Sequence, residues 1–488
     1  MSQPHGPNCW NTAKCPSPNE QCFVQLKTAA AGLAHCRATC PSHGWLCETR
    51  VPDENGGAAC GPAPLPKSLV QPTDDMHAVM AEASGGAVKL CDRANPPRGV
   101  PTFEITCYDG GQTGNRYVMV KSLLARAACC GGIALLPPEF DHFPQSGAAC
   151  FDFRGAPSAL SRPGSAACAA NVSENSKRWW GPHLKQTEAH CPASAEAARL
   201  VALAAKVYVG FGVPGLVFRD RSCAALPSAA SASAHTLHIH MRSGEIFTNW
   251  QNGSHLTTHG GFQHEPWSRG QPPLSFYAAV AAHAHPGAAK QPSSTPSPAA
   301  SGFYDAAVLA TSPDRSNPVA HALLQRPGDG SVVSPPLGLP LRLASSDSFL
   351  DDLSTILCAR HLVLARSSLN SLLMDSPNLH DLYEYAPTAA ACEELQRAAA
   401  AAAARSSAAA PACADETGGR AHNGGSGMRV ARRWCVAPRA SAGRYSVYDR
   451  WANDAAQRAE MVEFGMQGGG MNAPLLVSGG GGGAGCRT

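Results

Sequence analysis

The sequence predicts an α/β protein with two large domains behind a small disulfide-rich module. Strand-like and helix-like segments alternate from about residue 100 to residue 390, the order that builds a parallel sheet with crossover helices. Six cysteines crowd between Cys9 and Cys47. The chain has 488 residues, more than one core of ordinary size holds.

Residues 1–66 form the module. Cys9, Cys15, Cys22, Cys36, Cys40 and Cys47 are enough for three disulfides, and so short a segment needs such staples because it buries little apolar surface. Zinc is the rival, but only Cys36 and Cys40 have close ligand spacing. The run Cys22-Phe23, Cys36-Arg37, Cys40-Pro41, Gly44-Trp45 loosely resembles cysteine-rich modules attached to secreted carbohydrate enzymes. Trp45 suits stacking on a sugar ring or filling a tiny core.

The first large domain is expected over 67–228. Thr102–Cys107 reads as a strand and Ile133–Leu136 as the next. Between them Val120, Leu123, Leu124, Ala127 and Ala128 recur at helical spacing over Asn115–Cys130, and Gly131 supplies the left-handed stop. Ser194–Val207 is a further helix. The second domain is expected over 229–390. Thr236–Met241, Asp305–Ala310 and His361–Ala365 read as strands, and Leu274–Ala282 as a helix. Asn317 caps a helix opening on Pro318, where a missing N–H is harmless. Ser348 to Asp351 is a capping box for the helix of Phe349, Leu350, Leu353, Ile356 and Leu357. Ser368 is expected to cap the next helix. Residues 286–301 and 391–430 read as low-complexity inserts, 431–466 as a C-terminal packing segment, and 467–488 as a disordered glycine-rich tail.

Charged residues make up only 15%, and 39 basic against 36 acidic side chains leave a net charge of +3. That balance excludes a nucleic-acid partner, which needs a concentrated basic footprint. No run of apolar residues is long enough to span a bilayer, so no membrane anchor is expected in this chain. Twenty cysteines point to the secretory lumen, the Golgi or the outside of the cell. The opening Met-Ser-Gln-Pro-His-Gly-Pro lacks the apolar core of a signal peptide, so a preceding segment is expected.

Ligands of parallel α/β sheets bind beyond the carboxyl ends of the strands. Arg242-Ser-Gly-Glu245, Thr311-Ser-Pro-Asp314 and Arg366-Ser-Ser368 each follow a predicted strand. Arg242 with a helix N-terminus suits a diphosphate, and Asp314 suits a base or ribose. Tyr108 to Arg116 is a glycine-rich strand–helix turn without the Gly-Lys-Ser/Thr of a Walker loop.

Two segments carry a resemblance. Gly110-Gly111-x-x-Gly-Asn115-Arg116 and His240-Met-Arg242-Ser243-Gly244-Glu245 are similar to the signatures of the fucosyltransferase superfamily, Gly-Gly-x-x-Asn-Arg and His-x-Arg-x-Gly-Asp. The match extends through Gly270–Tyr277, Thr311–Pro318, Phe349–Leu353 and Arg366–Ser368, and reaches Trp451 and Met461. It implies a GT-B fold of two facing Rossmann-like domains. It implies an inverting, metal-independent glycosyltransferase with no cofactor, acting from GDP-fucose or a related nucleotide sugar on a glycan or glycoprotein acceptor. Arg242 would bind the diphosphate and offset leaving-group charge, with His240, Ser243 and Gly244 shaping its loop. Asp314 would contact the nucleoside, and Ser367 and Ser368 the phosphates. Gly110, Gly111, Asn115 and Arg116 would complete the donor-binding set. Glu245 stands where the family has Asp and is a candidate catalytic base. Asp141 is a second candidate, with a structural role favoured.

The chain has no Asp-x-Asp cation motif. His235, His238, His240, His255, His259 and His264 invite a zinc reading, but no Cys or acidic residue completes a tight set, so no metal is expected. The alternative function is a non-catalytic carbohydrate-binding or cell-surface protein on a degenerate transferase scaffold.

Overall fold

The structure is a computed structural model of the full chain. It describes most of residues 74–108, 113–137, 149–156, 171–176, 195–209, 235–256, 270–283, 303–325, 333–344, 349–408, 431–466 and 470–478, with isolated positions between them and three short strands before residue 50. Those strands, β1 (Gln21–Gln25), β2 (Ala34–Arg37) and β3 (Trp45–Leu46), form an antiparallel sheet in the order β2-β1-β3. The side chains of residues 1–66, and with them the pairing of these cysteines and the setting of Trp45, lie outside the described residues.

The chain divides into two compact units. The first comprises 1–217 with 347–350, and the second 218–346 with 351–488. In the first unit, α1 (Asp74–Ser84) leads to β4 (Lys89–Leu90), β5 (Thr102–Ile105), α2 (Thr113–Cys130), β6 (Ile133–Leu135), β7 (Cys150–Asp152), β8 (Val172–Glu174) and α3 (Ala195–Val209). β5, α2 and β6 make the expected crossover unit, with β5 and β6 parallel neighbours. The helix stops where Gly131 turns to φ +57°, a conformation that suits a residue without Cβ. The sheet order is β4-β7-β6-β5-β8, and β7 runs antiparallel to β6 and β4. This unit is therefore a mixed sheet rather than a regular parallel one. The Cys91–Cys150 disulfide ties the end of β4 to β7, and Cys130–Cys168 anchors the end of α2.

The second unit holds β9 (Thr236–Met241), α4 (Glu245–Thr248), the small antiparallel sheet β10 (Trp250–Gln251), β11 (Ser254–Leu256), β12 (Phe262–His264), then α5 (Leu274–Ala281), β13 (Ala306–Thr311), α6 (Pro318–Leu324), β14 (Val333–Ser334), β15 (Leu339–Ala344), α7 (Phe349–Leu357, whose first two residues group with the first unit), β16 (His361–Val363), α8 (Asn370–Leu373), β17 (Asp381–Tyr385), α9 (Ala389–Ala408), β18 (Arg432–Val436), α10 (Ser446–Asp449), α11 (Ala455–Glu463) and β19 (Leu475–Ser478). The main sheet has the order β14-β15-β13-β9-β16-β17-β18-β19. β15, β13, β9, β16, β17 and β18 are mutually parallel. Numbered along the chain, these strands stand in the order 3-2-1-4-5-6 of doubly wound nucleotide-binding sheets. β9 is buried along its whole length. Leu237, Ile239 and Met241 feed the main core, each stabilising it by about 1.5–3 kcal/mol, while His238 and His240 alternate to the other face.

Two segments depart from expectation. The alanine run Ala398–Ala404 belongs to α9 rather than to an irregular insert. Alanine is the best helix former, and the Cys392–Cys435 disulfide pins the first turn of α9 to β18. Residues 409–430 lie outside the described residues, as do 286–301. The tail from 467 is not structureless throughout. Leu475-Leu-Val-Ser478 is apolar and pairs antiparallel with β18 at the sheet edge.

Candidate functional site

The order reverses between β9 and β16, where one crossover leaves to each side. Such a switch point opens a crevice at the carboxyl ends of the strands. His240, second last in β9, and Arg242, just beyond it, stand on one side. Ala365 to Asn370 stand on the other.

Arg242 sits in a braced loop. Its carbonyl accepts from Asn317 Nδ2 at 2.8 Å. Ser243 is buried, and its hydroxyl accepts from the Asn317 backbone N–H at 3.1 Å and shares a hydrogen bond with Ser316 at 3.0 Å. Asn317 also caps α6 as expected, its Oδ1 accepting from Val319 N at 2.9 Å. Ser243 therefore positions the loop; its hydroxyl is not turned to a ligand.

His240 is buried, and its pKa is pushed down to about 4. Burial is the main cause and the Arg242 guanidinium the second, opposed by the nearby Asn370 side chain. The ring is neutral at physiological pH and acts as a hydrogen-bonding group, not as an acid. Around it are polar atoms that the fold leaves unsatisfied. Nδ1 of His240 and Oδ1 of Asn370 are buried without a hydrogen bond inside the protein. Buried polar atoms of this kind are costly and call for a partner.

The other face of the crevice corrects an expectation. Ser368 does not cap a helix. Ser367 Oγ accepts from Leu369 N at 3.2 Å, and α8 is a single turn whose N-cap position, Leu369, offers no side-chain cap. One turn carries little aligned dipole, so phosphate recognition by a helix end at Ser367 and Ser368 is not supported. Arg366 is spent on structure: it donates to the Tyr448 carbonyl at 2.6 Å and lies 4.5 Å over the Tyr448 ring. Asn370 Nδ2 donates to the Ala365 carbonyl at 2.7 Å, which aims the rest of its amide at His240.

A strap from 445 to 458 crosses this end of the unit. Tyr445 donates to the Gln271 carbonyl, Trp451 Nε1 to Ile246, and Asn453 and Arg458 to Phe247. It holds the α4 turn and the entry to α5 against the sheet. Trp451 and Met461, matched in the resemblance, are buried core residues here.

Glu245 opens α4, but its side chain lies outside the described residues, as do Gly110, Gly111, Asp141, Gly244 and Asp314. Asn115 and Arg116 stand in the first turn of α2 in the other unit. Arg116 is buried with its guanidinium 5.6 Å over the Tyr108 ring, and the Tyr108 hydroxyl bonds that of Tyr208 at 2.7 Å. Asn370 and Asn317 enter the site in roles the motifs did not assign. Asn370 was visible only as a polar residue after Arg366-Ser-Ser368.

His235 faces the Phe303 carbonyl, and the side chains of His255 and His264 are outside the described residues. Among the described residues the only grouping of three metal-type ligands is Cys129, Cys130 and Cys168, where Cys130 and Cys168 are already joined as a disulfide. No helix among the described residues is long and apolar enough to cross a membrane. Disulfides among them include Cys91–Cys150, Cys130–Cys168, Cys223–Cys358 and Cys392–Cys435, which fits an oxidising secretory or extracellular compartment. No family model, curated protein or solved structure matches the chain.

Proposed function

We propose that the protein is a glycosyltransferase of GT-B type that moves a sugar, fucose by the resemblance of its motifs, from a guanosine diphosphate donor to a hydroxyl of a glycan or glycoprotein. The reading is supported above all by the switch point of the second unit, where Arg242 stands beside a neutral His240 and an unsatisfied side-chain oxygen of Asn370. A diphosphate offers acceptor oxygens to the guanidinium and to the imidazole and amide donors. Asn370 Oδ1 adds an acceptor for a ribose hydroxyl or a base N–H.

In the inverting reaction the acceptor oxygen forms a bond to the anomeric carbon as the bond from that carbon to the β-phosphate oxygen breaks. The electron pair leaves with the nucleoside diphosphate. Arg242 offsets the charge that develops on the phosphate, a contribution worth about 10²–10³ in rate for one well-placed group. Its braced loop keeps it in place before the charge appears.

The test is a screen of nucleotide release from GDP-fucose and other nucleotide sugars, alongside GDP binding. Arg242→Ala is expected to weaken GDP binding at least tenfold and to abolish release. Equal GDP binding by wild type and variant would remove the donor-site assignment. Glycan binding without nucleotide release by wild type would favour a carbohydrate-binding scaffold.

A further inference from the structure

A modification site stands at the edge of the first unit's sheet. Asn171-Val172-Ser173 has the spacing of an N-glycosylation acceptor, Asn-x-Ser/Thr with x other than Pro. The tripeptide alone is a weak signal, since it recurs by chance in long chains. What gives it weight is where the fold puts it.

Asn171 directly precedes β8, the outermost strand in the order β4-β7-β6-β5-β8. Asn171 and Ser173 are both exposed. β8 runs parallel to β5 with Val172 opposite Phe103, so Asn171 comes level with Thr102, the first residue of β5. There its side chain extends the ladder by one bond: Oδ1 accepts from the Thr102 backbone N–H at 2.9 Å. The two ends of an Asn amide look alike, but a backbone N–H can only donate, so the end that meets Thr102 is the oxygen. Nδ2 is the end turned away, and it has no hydrogen-bond partner among the described residues.

One amide thus has two separable uses. A glycan is joined to Nδ2 and leaves Oδ1 a carbonyl oxygen, so the bond to Thr102 survives the modification. The outermost position of β8 leaves room beside it that an inner strand lacks. In the folded unit the Ser173 hydroxyl donates to Glu104 Oε2; sugar transfer precedes folding, when that hydroxyl is not yet engaged. The compartment agrees. Cys91–Cys150 and Cys130–Cys168 in this same unit fit the oxidising secretory surroundings in which such glycans are attached.

We propose that Asn171 carries an N-linked glycan. The donor is an oligosaccharide held on a lipid diphosphate. Nδ2 bonds to the anomeric carbon of the first sugar as the bond from that carbon to the diphosphate oxygen breaks. The electron pair leaves with the lipid diphosphate, and Nδ2 gives one of its two protons to a base of the transferring enzyme. The product places a bulky hydrophilic group at the open edge of the sheet, a cover that keeps an edge strand from pairing with another chain. This assignment is independent of the glycosyltransferase reading.

The test expresses the full chain behind a cleavable secretion leader in a eukaryotic cell and recovers it from the secretory pathway. An amidase that cleaves the glycan–asparagine bond is then applied in water enriched in heavy oxygen, and the peptides are mapped by mass spectrometry. Residue 171 is expected to return as Asp carrying the heavy label in most chains, with a matching loss of apparent mass. Ser173→Ala is expected to lose the label and the mass shift, while Ser173→Thr, which keeps the hydroxyl, retains both. Asn171→Asp keeps the oxygen that accepts from Thr102 and removes only the nitrogen; it is expected to lose the mass shift with its fold intact. Disulfide-bonded wild type recovered with residue 171 still Asn would overturn the proposal. So would a glycan confined to the second sequon, Asn252-Gly253-Ser254, or a mass shift that survives in full in Ser173→Ala.

Discussion

Asp381 is the most heavily used side chain of the second unit. It is the first residue of β17, and strand register sets it beside His361 of β16 and Arg432 of β18. Its carboxylate accepts from His361 Nδ1 at 2.7 Å, Trp434 Nε1 at 2.8 Å and Arg432 at 2.8 and 3.0 Å. Burial alone would raise its pKa; the hydrogen bonds from His361 and Trp434 and the Arg432 charge outweigh burial and hold it well below the usual range. This knot lies at the amino ends of the strands, opposite the candidate site, and its role is stability. Asp381→Ala is expected to cost about 3 kcal/mol in denaturant unfolding, because it leaves buried donors without an acceptor. A carboxyl whose folded pKa is depressed stabilises fully above its unfolded value of about 3.9 and loses that contribution as pH falls through and below it. His240 acts in a higher window. Its folded value of about 4 lies below the unfolded 6.5, so between these values the unfolded chain binds the extra proton. Stability is expected to fall by about 2 kcal/mol from this residue as pH drops from about 7 to about 5. The drop adds to that from His238, pushed down to about 3 chiefly by burial. His240→Gln is expected to flatten the profile in that interval; an unchanged slope would show that the ring is not held neutral.

At the scale of elements, periodicity was a good guide wherever one face is buried. The helix of Val120 to Ala128, the strand Thr236–Met241 and the Asn317-Pro318 helix start all stand where spacing and caps put them. What spacing could not show is set by tertiary neighbours. Ser243 reads as a ligand contact but is consumed by Asn317 and Ser316, seventy-odd residues away. Arg366 opens the third polar cluster but is held by Tyr448. Arg126, His183 and Glu174 meet at 3.0 and 3.5 Å with no motif between them. β19 hid inside glycine-rich sequence, since four residues are too few for a periodic signal. The strap makes its own prediction. Gly270 lies so close to it that a Cβ would stand 1.7 Å from the Val447 carbonyl oxygen. A backbone atom cannot yield as a side chain does, so Gly270→Ala is expected to lose at least about 2 kcal/mol and to loosen the α5 entry, read as faster proteolysis near 445–458.

For the whole molecule, the disulfides carry a large share of the constraint. Cys223–Cys358 closes a loop of 135 residues, which in the chain-entropy account stabilises the fold by about 5 kcal/mol. Its neighbourhood is packed, with Asn378 Nδ2 donating to the Leu357 carbonyl at 3.0 Å and contacting the Cys223 sulfur. Cys223→Ser is expected to lower Tm sharply under oxidising conditions, while the same variant and wild type converge after full reduction. The low charge of +3 is also explained at this scale. On the proposed function, anion recognition rests on Arg242 in a braced loop, so donor affinity is expected to change little with moderate salt, unlike binding by a basic surface.

The strap also bears on the order in which the protein can be made. Tyr445, Val447, Trp451, Met461 and Met471 are buried in the same core as Leu237 and Ile239 of β9, about two hundred positions earlier. A ribosome releasing the chain from its amino end delivers β9 long before the side chains that close over it. Until those residues emerge, the β9 end of the sheet is uncovered while Cys223, Cys358, Cys392 and Cys435 already await their partners. Correct pairing of these four therefore has to survive a waiting period whose length is set by where Trp451 falls in the chain.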